Sequence, residues 1–188
     1  MVENRISLLV NLGKTLSDEN NDAWQALKLR AERKNRWFIQ QFIDFSIESI
    51  VENFLNEEKL TQWLSNYDLK NYNKDETVGL ILAGNIPLVG IHDILCCFVL
   101  GLPTKIKMSS KDELMTKFVV SELQKLDENW SCEIVERLKG FDKVIATGSN
   151  NTNRYFEYYF KSVPSLLRNN RNSLAILSGR ESETELKA

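Results

Sequence analysis

Three short apolar runs constrain the fold more than anything else in this chain: TVGLILA (77–83), TKIKM (104–108) and KVIAT (143–147). Each is of strand length, and the intervals between them are long enough for a helix. TVGLILA reads as a strand buried on both faces, which is the mark of a sheet covered by helices rather than of a hairpin. Helical patterns follow each run: one from about Pro87 to Leu100, one opened by SSKDE and running to about Leu126, and one in NNTNRYFEYYF. Pro87 suits a first helical turn because its missing N–H is not needed there. Ser110 and Glu113 have capping-box spacing. LLRN and LAILS supply one or two further strands. Strand and helix in alternation predict an α/β fold with a parallel sheet and right-handed crossovers.

Residues 1–70 differ in texture, having no short β-rich runs, and a boundary near NYNKDET divides a helical segment (1–70) from the sheet-forming part (71–188). Trp24, Leu27 and Leu29 belong to a charged helix through Arg33 and Lys34, and Phe38, Phe42, Phe45 and Ile50 recur at helical spacing. The basic stretch KLRAERKNR is interrupted by Glu32 and reads as a solvated helix face.

At 188 residues and 43% hydrophobic composition the chain has ample material for a core. Its 24 basic and 26 acidic residues leave no field to hold a phosphate backbone, so no nucleic-acid partner is expected. The longest apolar stretch, Ile86 to Pro103, is broken by His92 and Asp93, which argues against a membrane span. The N-terminus does not read as a secretory signal, and a cytoplasmic location is expected. Of the cysteines, Cys96 and Cys97 are adjacent inside an apolar helical run and Cys132 stands apart, a spacing that fits neither a zinc site nor a disulfide framework.

In a parallel sheet, ligands sit beyond the carboxyl ends of the strands. Three such ends carry small and polar residues: AGN (83–85), KMSS (107–110) and TGSN (147–150). None is a nucleotide fingerprint or a P-loop. Each also has a plain reading: an asparagine satisfying local backbone, a capping box with an exposed lysine, and a strand-to-helix turn with an N-cap. His92, the single histidine, reads as a helix histidine, and Tyr155, Phe156, Tyr158, Tyr159 and Phe160 read as helix packing rather than a pocket lining.

Taken together, the order and wording of these segments resemble the aldehyde dehydrogenase superfamily. GNIPLVGIHDIL, KIKMSSKDE and IATGSNNTNRYFEYYF, with RNNRNSLAIL beyond, are most similar to the LuxC-like fatty acyl-CoA reductases, over roughly residues 75–180. The resemblance implies a Rossmann-like NAD(P)-binding domain at 71–188. It implies that Asn85 donates its amide to the oxyanion at the catalytic centre, a role worth about 3 kcal/mol. Lys107 matches the lysine at the adenosine ribose, with Ser109, Ser110 and Lys111 around it. Ser110 stands where many aldehyde dehydrogenases have glutamate, so the implied cofactor is NADP, with NAD as the second choice. Gly148 and Ser149 match the turn near the pyrophosphate and nicotinamide.

The implied activity is NADPH-dependent reduction of a long-chain acyl-CoA or acyl-protein thioester to an aldehyde through a cysteine acyl-enzyme. A homo-oligomer or an acyl-transfer partner goes with it. The sequence departs from the family in two ways. Leu167 or a neighbour occupies the place of the general-base glutamate, and none of Cys96, Cys97 or Cys132 matches the nucleophile. ESETELKA reads as the start of a helix with Ser182 as N-cap and Leu186 as its first apolar contact, so the chain is expected to be the N-terminal, cofactor-binding part of a longer enzyme. An NAD-dependent aldehyde dehydrogenase acting on free aldehydes and a non-catalytic interaction protein are the alternatives.

Overall fold

The computed structural model describes residues 2–69, 72–169, 176–177 and 179–184. Four helices come first: α1 (Val2–Ser17), α2 (Asp22–Lys34), α3 (Gln40–Phe54) and α4 (Glu57–Leu64). The starts of α2 and α4 are locally encoded: the side-chain oxygens of Asn21 and Asn56 accept from the Trp24 and Lys59 N–H groups, each at 3.1 Å. Helix α1 buries Ile6, Leu9, Leu12 and Leu16, a three-to-four-residue stripe that packs on α3, α4 and two later helices. Trp24 is fully buried; its indole N–H donates to the Leu16 carbonyl at 2.9 Å and its ring stacks on Phe118 at 4.5 Å.

On α3 the inward stripe is Ile43, Ile47 and Ile50, whereas Phe42 and Phe45 are 53% and 70% exposed. The expected spacing through Phe38, Phe42, Phe45 and Ile50 is therefore corrected. Two apolar stripes compete on this helix, and α1 takes the isoleucines. Phe38 is buried but precedes the helix.

The rest of the described chain alternates strand and helix. In order come β1 (Val78–Ile81), α5 (Ile91–Leu100), β2 (Thr104–Lys107), α6 (Glu113–Leu126), β3 (Cys132–Ile134), β4 (Lys143–Thr147), α7 (Asn150–Tyr159) and β5 (Ser165–Arg168). All strand pairs are parallel, in the order β3-β2-β1-β4-β5. The protein is thus α/β, with a five-stranded all-parallel sheet and seven helices among the described residues, compatible with a Rossmann-like fold. Register brings Leu80 opposite both Ile106 and Ile145, and one continuous core joins these strands to α1–α6. Arg5 of α1 is part of that joint: its guanidinium pairs with Asp127 at 2.7 Å and lies over the Phe98 ring.

Several expectations shift. β4 matches KVIAT, but β3 had no counterpart in the sequence reading; it has three residues, a glutamate at its centre and an edge position. α5 begins at Ile91, four residues after Pro87, because residues 87–90 form turns. Ser110 does not cap α6; Asp112 holds the cap position, and its carboxylate is engaged elsewhere. Tyr155, Tyr158 and Tyr159 are exposed rather than packed, while Phe156 and Phe160 meet edge-on or tilted with neighbours including Phe141. Of LAILS (174–178), Ile176 and Leu177 form no strand and the remainder lies outside the described residues, as does Leu186 of the expected C-terminal helix. No helix among the described residues is long and apolar enough to cross a membrane.

Candidate functional site

Strand β1 lies between β2 and β4, so the loops that leave their carboxyl ends are neighbours. This is the position where strand order reverses direction, and where crevices form in sheets of this kind. The loop after β1 runs on from the strand with the Leu82 N–H donating to the Lys107 carbonyl at 3.1 Å. At Gly84 it touches the loop after β2 so closely that a Cβ would lie 2.5 Å from Ser109 Oγ. Only glycine fits there without separating the two loops.

Two side chains then fix the turn that follows. The Ser46 hydroxyl of α3 donates to the Pro87 carbonyl at 2.7 Å, and the Leu88 N–H donates to Asp112 Oδ2 at 2.7 Å. Leu88 itself has φ +55°, a left-handed conformation that costs a branched side chain energy, and its side chain is 2% exposed. Burial and the Asp112 bond hold it there. Asn85 and Ile86, just before this clamp, are exposed, and the Asn85 amide makes no hydrogen bond within the described residues. The loop is held at Gly84, Pro87 and Leu88 while its asparagine faces outward, free to donate.

Asp112 is the acid that sequence reasoning missed. It is 3% exposed; Oδ2 also accepts from Thr116 Oγ1 at 3.4 Å, and Oδ1 has no partner. Burial pushes its carboxyl up to about 7, partly offset by the Leu88 and Thr116 bonds. Nothing local in KMSSKDE distinguishes this aspartate from a solvated cap. Its partner Leu88 is 24 residues away.

The loop after β2 carries the cations. Lys107, Ser110 and Lys111 are exposed, and the two ammonium groups and the Ser110 hydroxyl make no bond within the described residues. Ser109 Oγ accepts from the Lys111 N–H at 3.3 Å, a turn bond rather than a cap. The next acid along, Glu113, is already taken: hydrogen bonds from Lys117 and Lys34 hold its carboxyl down to about 2. The result is a small set of donors without a competing carboxylate, which suits a phosphate or sugar hydroxyls.

After β4, Ser149 is the N-cap of α7, its Oγ accepting from the Thr152 N–H at 3.2 Å. Gly148 lies against that helix, with a notional Cβ 3.0 Å from the Phe156 ring, and its N–H donates to the Arg168 carbonyl at 3.1 Å. The Arg168 side chain crosses back to Asp93 of α5. The Asp93–Arg168 pair was also missed: both residues lie in segments that carry the resemblance, but nothing local in either segment marks a partner 75 residues away.

The three cysteines lie on α5 and β3 rather than on the three loops of this edge. Burial raises Cys96 to about 11, and Cys97 and Cys132 to about 12, so all three remain thiols at neutral pH. No cluster of metal-binding side chains occurs among the described residues. Comparison with known proteins finds no matching family model and no matching curated protein.

Proposed function

We propose that this chain is the cofactor-binding part of an NADPH-dependent acyl-CoA reductase of the LuxC-like kind, acting on a long-chain acyl thioester. The observation that supports this reading is the adjacency of the three loops carrying Asn85, Lys107-Met108-Ser109-Ser110 and Thr147-Gly148-Ser149, on neighbouring strands at the reversal of strand order. When bound, NADPH supplies the hydride. Lys107, Ser110 and Lys111 are donors at the end of β2 that have no partner among the described residues, a chemistry that fits a ribose 2′-phosphate better than the bare diol of NAD. Ser109 lines the Gly84 contact, and Gly148 and Ser149 form the turn that faces the same edge from β4. Asn85 presents its amide from a clamped loop, as an oxyanion donor requires, because a donor that need not reorganise stabilises developing charge most.

The test is a titration of the polypeptide with NADPH and NADH, followed by cofactor fluorescence, with Lys107→Ala in parallel. Saturable binding that prefers NADPH and weakens at least tenfold in the variant is the expected result. Equal or absent binding of both nucleotides by folded, monodisperse protein would refute it. One observation favours the alternative of an interaction protein: Trp37, at 81% exposure, stands with exposed Phe42 and Phe45 in the α3 region. Concentration-dependent sedimentation that is lost in Trp37→Ser/Phe45→Ser would support that reading.

A further inference from the structure

Helix α5 presents a second feature, on the side that faces α3 and α4, which the proposed reductase role does not use. A partly open cavity of about 190 Å³ is lined by Asn53 and Phe54 at the end of α3, Lys59, Leu60 and Trp63 of α4, and His92 and Leu95 of α5. We propose that this cavity is a binding site for a small neutral aromatic molecule of the phenol or indole class, oriented by a hydrogen bond to the His92 imidazole.

The size limits the ligand first. A cavity of about 150 Å³ accepts benzene, whereas drug-sized ligands need about 300 Å³ or more. One ring or two fused rings fit between these bounds. The walls then select the shape: Phe54 meets the His92 ring at 5.3 Å and 66°, and Trp63 meets it at 5.8 Å and 55°. Rings set at such angles leave faces and edges for a third ring, which gains more there than a flexible alkyl chain does.

Polar groups determine the rest. His92 is half-buried, and among the described residues its imidazole has one hydrogen-bond contact, the Cys96 thiol, 3.7 Å from Nδ1 and 4.0 Å from Nε2. Within the described residues no oxygen or nitrogen satisfies the imidazole, so one hydrogen-bonding position is open to a ligand hydroxyl or N–H. The polar lining residues Asn53 and Lys59 do not call for a charged ligand. Lys59 Nζ already donates to Asn53 Oδ1 at 3.0 Å and stands 3.8 Å from Glu52, and its ammonium is thereby partly compensated. A hydroxyl- or N–H-bearing ring without net charge matches all three features.

Saturation-transfer NMR and calorimetry with phenol, indole, toluene and cyclohexanol on the whole chain would test the site, using the wild type, Leu60→Trp and His92→Phe. Leu60→Trp fills the cavity, and His92→Phe keeps a ring while removing its nitrogens. Saturable one-to-one binding of phenol and indole is expected, abolished in Leu60→Trp. In His92→Phe, phenol should weaken at least fivefold while toluene changes less than twofold; this comparison carries the test if Leu60→Trp does not fold. No saturable binding of phenol or indole at millimolar concentration would overturn the proposal. So would binding untouched by Leu60→Trp, cyclohexanol binding as tightly as phenol, or equal losses of phenol and toluene in His92→Phe. None of these outcomes depends on nicotinamide-cofactor binding.

Discussion

Asp93 and Arg168 meet across the carboxyl edge of the sheet, with Arg168 Nη1 2.5 Å from one carboxylate oxygen and 2.7 Å from the other. The Asp93 side chain is 5% exposed and the Arg168 side chain 33%. The pair ties β5 to α5 over a separation of 75 residues. Removing the arginine leaves a buried carboxylate without its counter-charge. Arg168→Leu should therefore destabilise the fold by about 2 to 3 kcal/mol, at the lower end for buried pairs because the arginine keeps some water contact. Asp93→Asn/Arg168→Leu should recover part of that loss. Urea unfolding of the three proteins measures both effects, and equal stability of Arg168→Leu and wild type would show that the pair contributes nothing.

Asp112 should give the protein a pH-dependent stability. Its carboxyl is raised to about 7 when folded, against 3.8 for the free side chain, so between those values the folded state holds more protons than the unfolded one. Stability from this group therefore falls as pH rises from about 4 to about 7, by at most about 1.4 kcal/mol per unit, and is level above that. Glu113, held down to about 2, acts below this window and in the opposite sense. Unfolding midpoints at pH 5 and 7.5 should converge in Asp112→Asn, which still accepts the Leu88 N–H. A slope unchanged by the substitution would place its origin elsewhere.

Asn85 separates function from stability. Because the Asn85 side chain is exposed and makes no bond among the described residues, Asn85→Ala should alter unfolding free energy by less than about 0.5 kcal/mol. If the reductase reading holds, turnover by the whole enzyme should fall by about 10² to 10³ at unchanged cofactor affinity. Thermal denaturation and steady-state kinetics check the two halves. Turnover within a few-fold of wild type would end the oxyanion role.

Gly101 ends α5 with φ +73°, and a Cβ there would lie 1.7 Å from Arg5 Nη1. Gly101→Ala should cost about 2 kcal/mol or more, combining left-handed strain with displacement of Arg5 from Asp127. Because both substitutions damage one contact, Arg5→Ala and Gly101→Ala should combine to less than their sum in a double-mutant cycle of unfolding energies. Additive losses would mean that the glycine acts through its backbone alone.

What was legible in the sequence was local. KVIAT is β4, TVGLILA contains β1, TKIKM contains β2, and Ser149 caps α7, because side-chain period, β-branching and N-cap chemistry act within a few residues. The α/β class and the parallel sheet follow from those runs and the helix-length intervals between them. β3 escaped because three residues with a central glutamate carry no period, and its pairing with β2 alone makes it a strand.

The tertiary structure decided everything that depends on a distant partner. It selected the isoleucine stripe of α3 over the phenylalanines, since α1 packs on only one side of that helix. It delayed α5 by holding Leu88 in a left-handed turn through Asp112, and it drew Asp112 away from its helix cap. It joined Asp93 to Arg168 and set His92 against rings from α3 and α4. Periodicity records which side chains must leave water. Which group each one then meets is set by strand order and helix packing, and those arise only when the whole sheet is assembled.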